Sequence, residues 1–415
     1  MKTSGEWKST PLGSVLERVT LPVSVEPTRE YREIGIRSHG KGIFHKPPVT
    51  GASLGGTRVF RVVPDALVLN IVFAWEQAVA VTSTSETGMI ASHRFPMYRS
   101  VGDSCDINFL LQYFKTPRGK ELLELASPGG AGRNKTLGQR EFERLQICMP
   151  CGSEQARIAA AIAIWDQAID VVSDAIDLSK RHKHGLVQKL FSKHRNQQTT
   201  PRNWEVVRLD DLVSLNPSRS PRPDDGMVSF LPMAAVSEEG KVIHAHIREY
   251  DQVCSGHTAF RNGDILVAKI TPCFENGKGA LVDGLVNGVG FGSTEFHVLR
   301  PKNGVSARLI AHVVNNREFR HRGESEMEGS AGQKRVSADF IRTFKFACPT
   351  SLQDQDQICA VLDTEDRIRS AHQEILRTLI NERTSIGQRL LTGKQRLLTD
   401  KHRLRAPQST LDATA

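Results

Sequence analysis

From Ile158 onward the apolar residues step by alternating four and three: Ile158, Ile162, Trp165, Ile169, Val172, Ile176. The stepping then meets Ser179 and Lys183 and resumes at Leu186 and Leu190. A sustained period of about 3.5 residues is the pattern of a coiled-coil seam. It predicts one long helix over 154–193, a rod of roughly 60 Å at the standard helical rise. A second long helix is expected after Ser351, which with Asp354 suits a capping box. Its seam reads Ile358, Leu362, Ile368, Ile375, Leu379, Ile386 and Leu390, with a register that shifts along the way. One narrow apolar stripe per helix wants a partner helix, so the two rods are expected to pair as an antiparallel coiled coil. The other reading packs each rod on its own globule.

Ahead of each rod the pattern changes to short apolar runs broken by Gly, Pro, Asn and Asp. "RVFRVV" (58–63), "DALVLNIVFAW" (65–75), "DILVAKI" (264–270) and "FHVLR" (296–300) read as strands. "INFLLQYFKTPRGKELLELA" (107–126) and "ARLIAHVVNNREFRHRGES" (307–325) read as helices. The class is therefore α+β.

The chain repeats itself after about 200 residues. Trp7 with Leu12 returns as Trp204 with Leu209. "DALVLNI" returns as "DILVAKI", "SHRFPMYR" (92–99) as "STEFHVLR" (293–300), "AGRNK" (131–135) as "AGQKR" (331–335), and "EQARI" (154–158) as "DQDQI" (354–358). Even the helix ends rhyme: "GLVQKLFS" (185–192) and "SIGQRLLT" (385–392). In that ending Leu186 and Leu190 lie on the seam. Gln188 and Lys189 are left to face the other copy, solvent or a partner subunit. The expected layout is a first globule over 1–150, a central helix over 151–193 and a linker over 194–203. A second globule follows over 204–349, then a C-terminal helix over 350–396 and a disordered tail over 397–415.

Composition narrows the function classes. A chain of 415 residues with 39% hydrophobic and 24% charged residues can bury two or three cores and is not disordered throughout. The net charge of +9 favours a polyanionic partner. The start "MKTSGEWKST" lacks the apolar core of a signal peptide, and no run reaches membrane-span length. Seven scattered cysteines point to a reducing, cytoplasmic setting rather than a disulfide framework.

Candidate chemistry is sparse. "CMPC" (148–151) has the redox spacing ahead of a helix, but the second copy keeps one cysteine, so the pair reads as small apolar residues at a strand end. "CFENGKGAL" (273–281) lacks the hydroxyl that a phosphate loop needs after its lysine, and reads instead as a hairpin turn with Lys278 exposed beside "NG". "GVGFGS" (288–293) lacks a strand–helix setting. Asp224, Glu239 and Lys241 sketch a metal-dependent nuclease: acids for magnesium and a lysine near the attacking water. A coiled-coil scaffold without DNA binding is the other alternative. What remains is a duplicated basic globule with long helices, a design suited to two spaced DNA half-sites.

At this point the residues resemble a family: the DNA-specificity subunits of type I restriction-modification systems. The resemblance runs nearly the full length. It is most specific at "GDILVAKITPCFENGKGAL" with "GFGSTEFHVLRP" (263–281 and 290–301), and at the paired ends "EQARIAAAI…LVQKLFS" and "DQDQICAVL…GQRLLTG". The first copy departs at Gln77, where glycine is expected after "AWE". The resemblance implies two target-recognition domains, each reading one half of a split double-stranded DNA site. It implies that the helices set the spacer and dock two methyltransferase subunits, which restriction (motor and nuclease) subunits join. The chain itself would be non-catalytic and bind no metal. S-adenosylmethionine, ATP and magnesium would belong to the partners.

DNA contacts are then expected from basic residues on turns: Arg133, Lys135, Lys278, Lys334 and Arg335. Base reading calls for polar side chains that differ between copies, Asn70 against Lys269 and Arg94 against Glu295. For each, a solvated surface position or a local hydrogen bond is the plainer reading. Ser179 and Lys183 either set the register of the seam or, for Lys183, reach out to solvent.

Overall fold

The computed structural model describes residues 7–129, 135–191, 203–330 and 332–397. They divide into two compact units, Met1–Val171 with Leu376–Ala415, and Val172–Ile375. Each unit therefore combines one globule with part of both long helices. Most of the linker and the tail from 398 onward lie outside the described residues.

The first unit is built on a four-stranded antiparallel sheet in the order Leu16–Val19, Met97–Ser100, Leu67–Leu69, Val79–Val81. The second unit has a sheet of the same order: Val213–Leu215, Phe296–Pro301, Ile265–Ala268, Gly279–Leu281. In both, an inner strand is buried on two faces. Leu67 and Leu69 enter one core cluster while Val68 enters another. Ile265 and Val267 likewise part from Leu266 and Ala268. Side chains alternate faces along a strand, so covering both faces demands an unbroken apolar run. That is why "ALVL" and "ILVA" show no polar alternation. The second unit adds another four-stranded sheet, His246–Glu249, Met227–Leu231, Val289–Gly292, Thr258–Arg261, whose middle strands are parallel. Two-stranded ladders close each globule: Lys8–Pro11 with Gln146–Met149, and Trp204–Arg208 with Lys345–Pro349.

Each of the two expected globule helices is two helices. Ile107–Phe114 ends before Thr116-Pro117, and Pro117–Leu125 starts again with Thr116 as cap, its hydroxyl accepting from Gly119 N at 3.0 Å. Proline lacks the amide that would continue the ladder. In the second unit Ala307–Val314 and Arg317–Ser325 part at Asn316, whose side chain accepts from Glu318 N at 2.7 Å. Gln77 stands at a left-handed position, φ +59°, where glycine would be free of cost. Its amide donates to Phe114 O at 2.8 Å and ties that turn to the helix end.

The long helices run Gly152–Phe191 and Leu352–Leu391, 40 residues each. On the central helix every expected seam position is buried or half-buried, Ser179 and Lys183 included. On the C-terminal helix the expected seam is corrected. Ile368 and Ile375 are 43% and 47% exposed. The covered positions are Ile358, Leu362, Glu365, Arg369, His372, Leu376, Leu379, Arg383, Ile386 and Leu390. They step by four and three without a shift. The register is regular, but polar side chains fill four of its places. Val361, Ile368 and Ile375, seven apart, lie on an outer face.

Pairing is antiparallel within each unit. In the first, Ile158 and Ile162 share a core with Ile386, Leu390 and Leu391. In the second, Val187 and Phe191 share one with Ile358, Cys359 and Leu362. Two of the polar places are matched across the pair, Glu365 in the second unit and Arg383, by Asp166, in the first, while Nδ1 of His372 is buried without a hydrogen-bond partner among the described residues. In the second unit the Lys183 ammonium meets the Asp366 carboxylate, and Glu365 accepts from the Ser179 hydroxyl at 3.4 Å and lies 3.1 Å from His182 Nδ1. Lys183 is held in the seam rather than released to solvent. The Ser351 hydroxyl accepts from Asp354 N at 3.1 Å and donates to the Asp354 carboxylate at 2.8 Å, so the C-terminal helix opens on one half of the expected box.

The repeated helix ending now has a reason. Each copy plugs the end of one long helix into a globule core. Val187 and Phe191 pack with Phe346 and Leu209 of the second, and Leu390 and Leu391 with Leu12 and Ile147 of the first. Gln188 and Lys189 are exposed.

Candidate nucleic-acid interface

In the second unit three segments converge where the inner strands of the first sheet end. Lys269 N donates to Glu295 O at 2.9 Å, Val336 N to Lys269 O at 2.8 Å, and Thr271 N to Lys334 O at 2.9 Å. Ala268 N donates to Lys278 O at 3.0 Å. Backbone hydrogen bonds thus bring Lys269, Lys278, Glu295, Lys334 and Arg335 to one loop cluster from three stretches of sequence. The loop between Ile265–Ala268 and Gly279–Leu281 is a hairpin as expected. Asn276 is exposed and Gly277 takes φ +81°, while Lys278 is half-buried rather than exposed.

Electrostatics sort the cluster. Arg335 grips Glu295 in a fork, Nε to Oε2 at 3.0 Å and Nη2 to Oε1 at 2.9 Å. The guanidinium holds the Glu295 carboxyl below its usual range, and the carboxylate raises Arg335 in turn. Arg335 is thereby a positioned group with its charge already matched. Lys334 is exposed and, among the described residues, has no carboxylate partner. Lys269 borders a small cavity of about 280 Å³ with Asn216, Thr258 and Phe296. Asn216 is locked by accepting from Val298 N at 2.9 Å. Behind it His297 is buried, 3.1 Å from Val336 O, and burial pushes its imidazole toward the neutral form. Asn216 and Thr258 escape a sequence reading because they reach this corner from other strands, Asn216 just after Val213–Leu215 and Thr258 at the start of Thr258–Arg261.

The first unit shows the same framework. Ile71 N donates to Arg94 O at 3.0 Å, Leu137 N to Ile71 O at 2.8 Å, and Asn70 N to Ala78 O at 2.9 Å. These bonds correct the expected equivalence by one residue. Ile71, not Asn70, holds the place of Lys269; Asn70 matches Ala268, and Ala78 matches Lys278. The Arg94–Glu295 match stands. Asn70 spends its side-chain oxygen on Val72 N at 3.1 Å, a local turn bond. Arg94 is exposed. Lys135 lies 5.5 Å from the Trp75 ring centre, an aromatic–cation pair that spacing did not announce. Arg133 lies outside the described residues.

The nuclease outline does not assemble. Asp224 is exposed in a loop. Glu239 and Lys241 sit in a turn whose amides both donate to Ser237 Oγ at 3.2 Å, and Lys241 Nζ donates to Ser370 Oγ at 3.1 Å. Among the described residues the group spaced to hold a cation is His312, Asp363 and Asp366, none of them part of that outline. In "CMPC", Cys148 points outward on its strand between buried Ile147 and Met149, and both cysteines are exposed. They stand at a strand end as expected, but exposed to solvent. No helix of the described residues is long and apolar enough to cross a membrane.

Residues 201–380 match the family model of the type I restriction modification DNA specificity domain. The chain is 36% identical over 220 residues to the specificity subunit of the EcoAI type I restriction enzyme of Escherichia coli, covering 49% of this chain and 37% of that protein. It is 34% identical over 192 residues to the EcoEI counterpart from the same organism, covering 43% and 32%. The matches thus span about a third of those relatives' own length. Among solved structures, the type I restriction-modification S subunit of M. genitalium superposes with a TM-score of 0.53 at 12% identity, covering 95% of this chain and 97% of that one. A chain from a structural study of assembly and conformational transition of the type I R-M system gives 0.56 at 15% identity, covering 95% and 100%. Both are likenesses of fold.

Proposed function

We propose that this chain is a type I restriction-modification specificity subunit, the DNA-reading component of such a complex. The observation that carries the reading is the repeat of one strand order and one loop framework with different side chains at matched places. Ile71 stands against Lys269, and Arg94 against Glu295. A scaffold kept constant while its polar tips change suits two globules that read two different half-sites. Lys334, Lys278, Lys135 and Arg133 would meet phosphates, and Lys269 and Arg94 base edges.

The paired helices would set the spacer between half-sites and dock two methyltransferase subunits, with restriction subunits joining that core. Chemistry would reside in those partners, with S-adenosylmethionine, ATP and magnesium bound there, and the complex would work in the cytoplasm. The test is co-expression with methyltransferase and restriction subunits of a type I system, followed by methylation mapping of host DNA. A methylated split motif that changes when one globule is exchanged is the expected result. Methylation without a split motif, or none from an active methyltransferase, refutes the reading.

A further inference from the structure

The second unit holds a cavity of about 1130 Å³ walled by both long helices, by Ala307–Val314 and Arg317–Ser325, and by the turn at Glu238–Lys241. Eight of its lining residues are lysine or arginine and five are aspartate or glutamate. Two of the acids are already spoken for. Asp363 takes Arg308 at 3.0 Å and His312 at 2.8 Å. Asp366 takes Lys183 and Arg369. Among the described residues the side chains of Arg367 and Lys241 donate only to hydroxyls, of Thr364 at 2.9 Å and Ser370 at 3.1 Å. Among the described residues Arg317 has no ion pair, and Nη1 of Arg322 is buried without a hydrogen-bond partner. Glu238, Glu239 and Glu318 also line the cavity without an ion pair among the described residues, but with eight cationic side chains against five acidic ones the lining keeps an excess of positive charge.

His184 on the wall senses this. Partial desolvation and then Arg317, Lys183 and Arg369 press its imidazole toward the neutral form. His312, Asp363 and Asp366 are close enough to hold a cation, but Arg308, Lys183 and Arg369 already occupy their carboxylates and would repel a metal ion. The volume is that of a small-molecule site rather than a single-ion niche.

We infer that this cavity binds an oligophosphate anion of nucleotide size, with Arg317, Arg322 and Lys241 as phosphate ligands. Guanidinium and ammonium groups that lack carboxylate partners recover their strongest hydrogen bonds from phosphate oxygens. The turn at Glu238 borders the hairpin that carries Lys278, with Asn276 Nδ2 donating to Glu238 Oε1 at 3.0 Å, but Arg317, Arg322 and Lys241 are not members of that loop cluster, and the inference does not rest on the DNA-reading role.

The test is calorimetric titration of the full chain with pyrophosphate and, separately, ATP, at constant ionic strength. Histidine side-chain NMR follows His184 in parallel. Saturable binding is expected, weakened about tenfold by Arg317→Gln, the worth of one charge-assisted hydrogen bond. The His184 titration midpoint should rise once the anion answers the cations around it. Pyrophosphate and ATP competing for one site marks a nucleotide; pyrophosphate alone marks an inorganic oligophosphate, and either supports the inference. If Arg317→Gln does not fold, Lys241→Gln on the exposed turn replaces it. No saturable binding of either probe, or binding equal in the variant with His184 unmoved, overturns it. Duplex binding measured on the same sample keeps this failure apart from any failure of DNA recognition.

Discussion

Arg383 lies across the helix pair from Asp166, its Nε 2.9 Å from Oδ1, and its Nη2 also reaches the amide oxygen of Gln112. One arginine on the C-terminal helix thus joins the central helix to a helix of the first globule. Both charged side chains keep some exposure, so the pair is screened. Replacing Arg383 with alanine leaves Asp166 and Gln112 short of a donor. A loss of about 1–2 kcal/mol in the stability of the first unit is expected, read by chemical denaturation of the full chain.

Leu362 is fully buried on the seam and Ile368 is 43% exposed, although their apolar character is the same. Leu362→Ala should cost about 2–5 kcal/mol through the cavity it opens. Ile368→Ala should stay within about 0.5 kcal/mol. Equal losses in urea melts would restore the seam first read from the apolar residues.

Glu86 is buried, 2.8 Å from His45 Nε2, and accepts from Ser83 N at 2.7 Å and Ser85 Oγ at 2.6 Å. Burial, the largest single influence, pushes its carboxyl up, but the Ser85, His45 and Ser83 bonds together outweigh it and bring it from 4.5 to about 2. A carboxyl depressed in the folded state stabilises above its unfolded value and loses that contribution as pH falls. The window is therefore pH 4.5 down to about 2. Glu86→Gln should make the chain less stable at neutral pH and flatten the decline across this window, measured as unfolding midpoints at stepped pH.

Lys334 is exposed without a carboxylate partner among the described residues, whereas Arg335 is held by Glu295. Lys334→Ala should weaken duplex binding by the assembled complex evenly across sequences and lower the salt slope by about one. Fluorescence anisotropy over a salt series reads both. A change of preferred motif instead would place Lys334 against a base edge.

Much of the architecture was legible because it is written in periodicity. The central helix showed its seam directly, since seven of its ten places from Ile158 to Leu190 are Ile, Leu or Val and an eighth is Trp165. The C-terminal helix hid its own. Its true seam carries Glu365, Arg369, His372 and Arg383, while isoleucines ride outside. An apolar count cannot find a seam with polar members such as Glu365 and Arg383, whose partners Ser179 and Asp166 lie far away in sequence. The loop cluster was legible in part. Turn chemistry located Lys278 and Lys334, but the equivalence of Ile71 with Lys269 rests on which amide meets which carbonyl. Trp75 beside Lys135, and Asn216 beside Lys269, come together only through folding.

The linear order of residues determined on its own the duplication, the α+β class, the two long helices and the basic character, because each depends on local period or on composition. Tertiary structure alone decided the rest. It set which helix faces are covered and which charges are matched, and it divided the chain into units that each take part of both helices. Those outcomes depend on groups brought together from more than 150 residues apart, as Asp166 is with Arg383 and Lys183 with Asp366. A hydrogen bond or buried face is defined by its partner, and the partner is named only when the chain has folded.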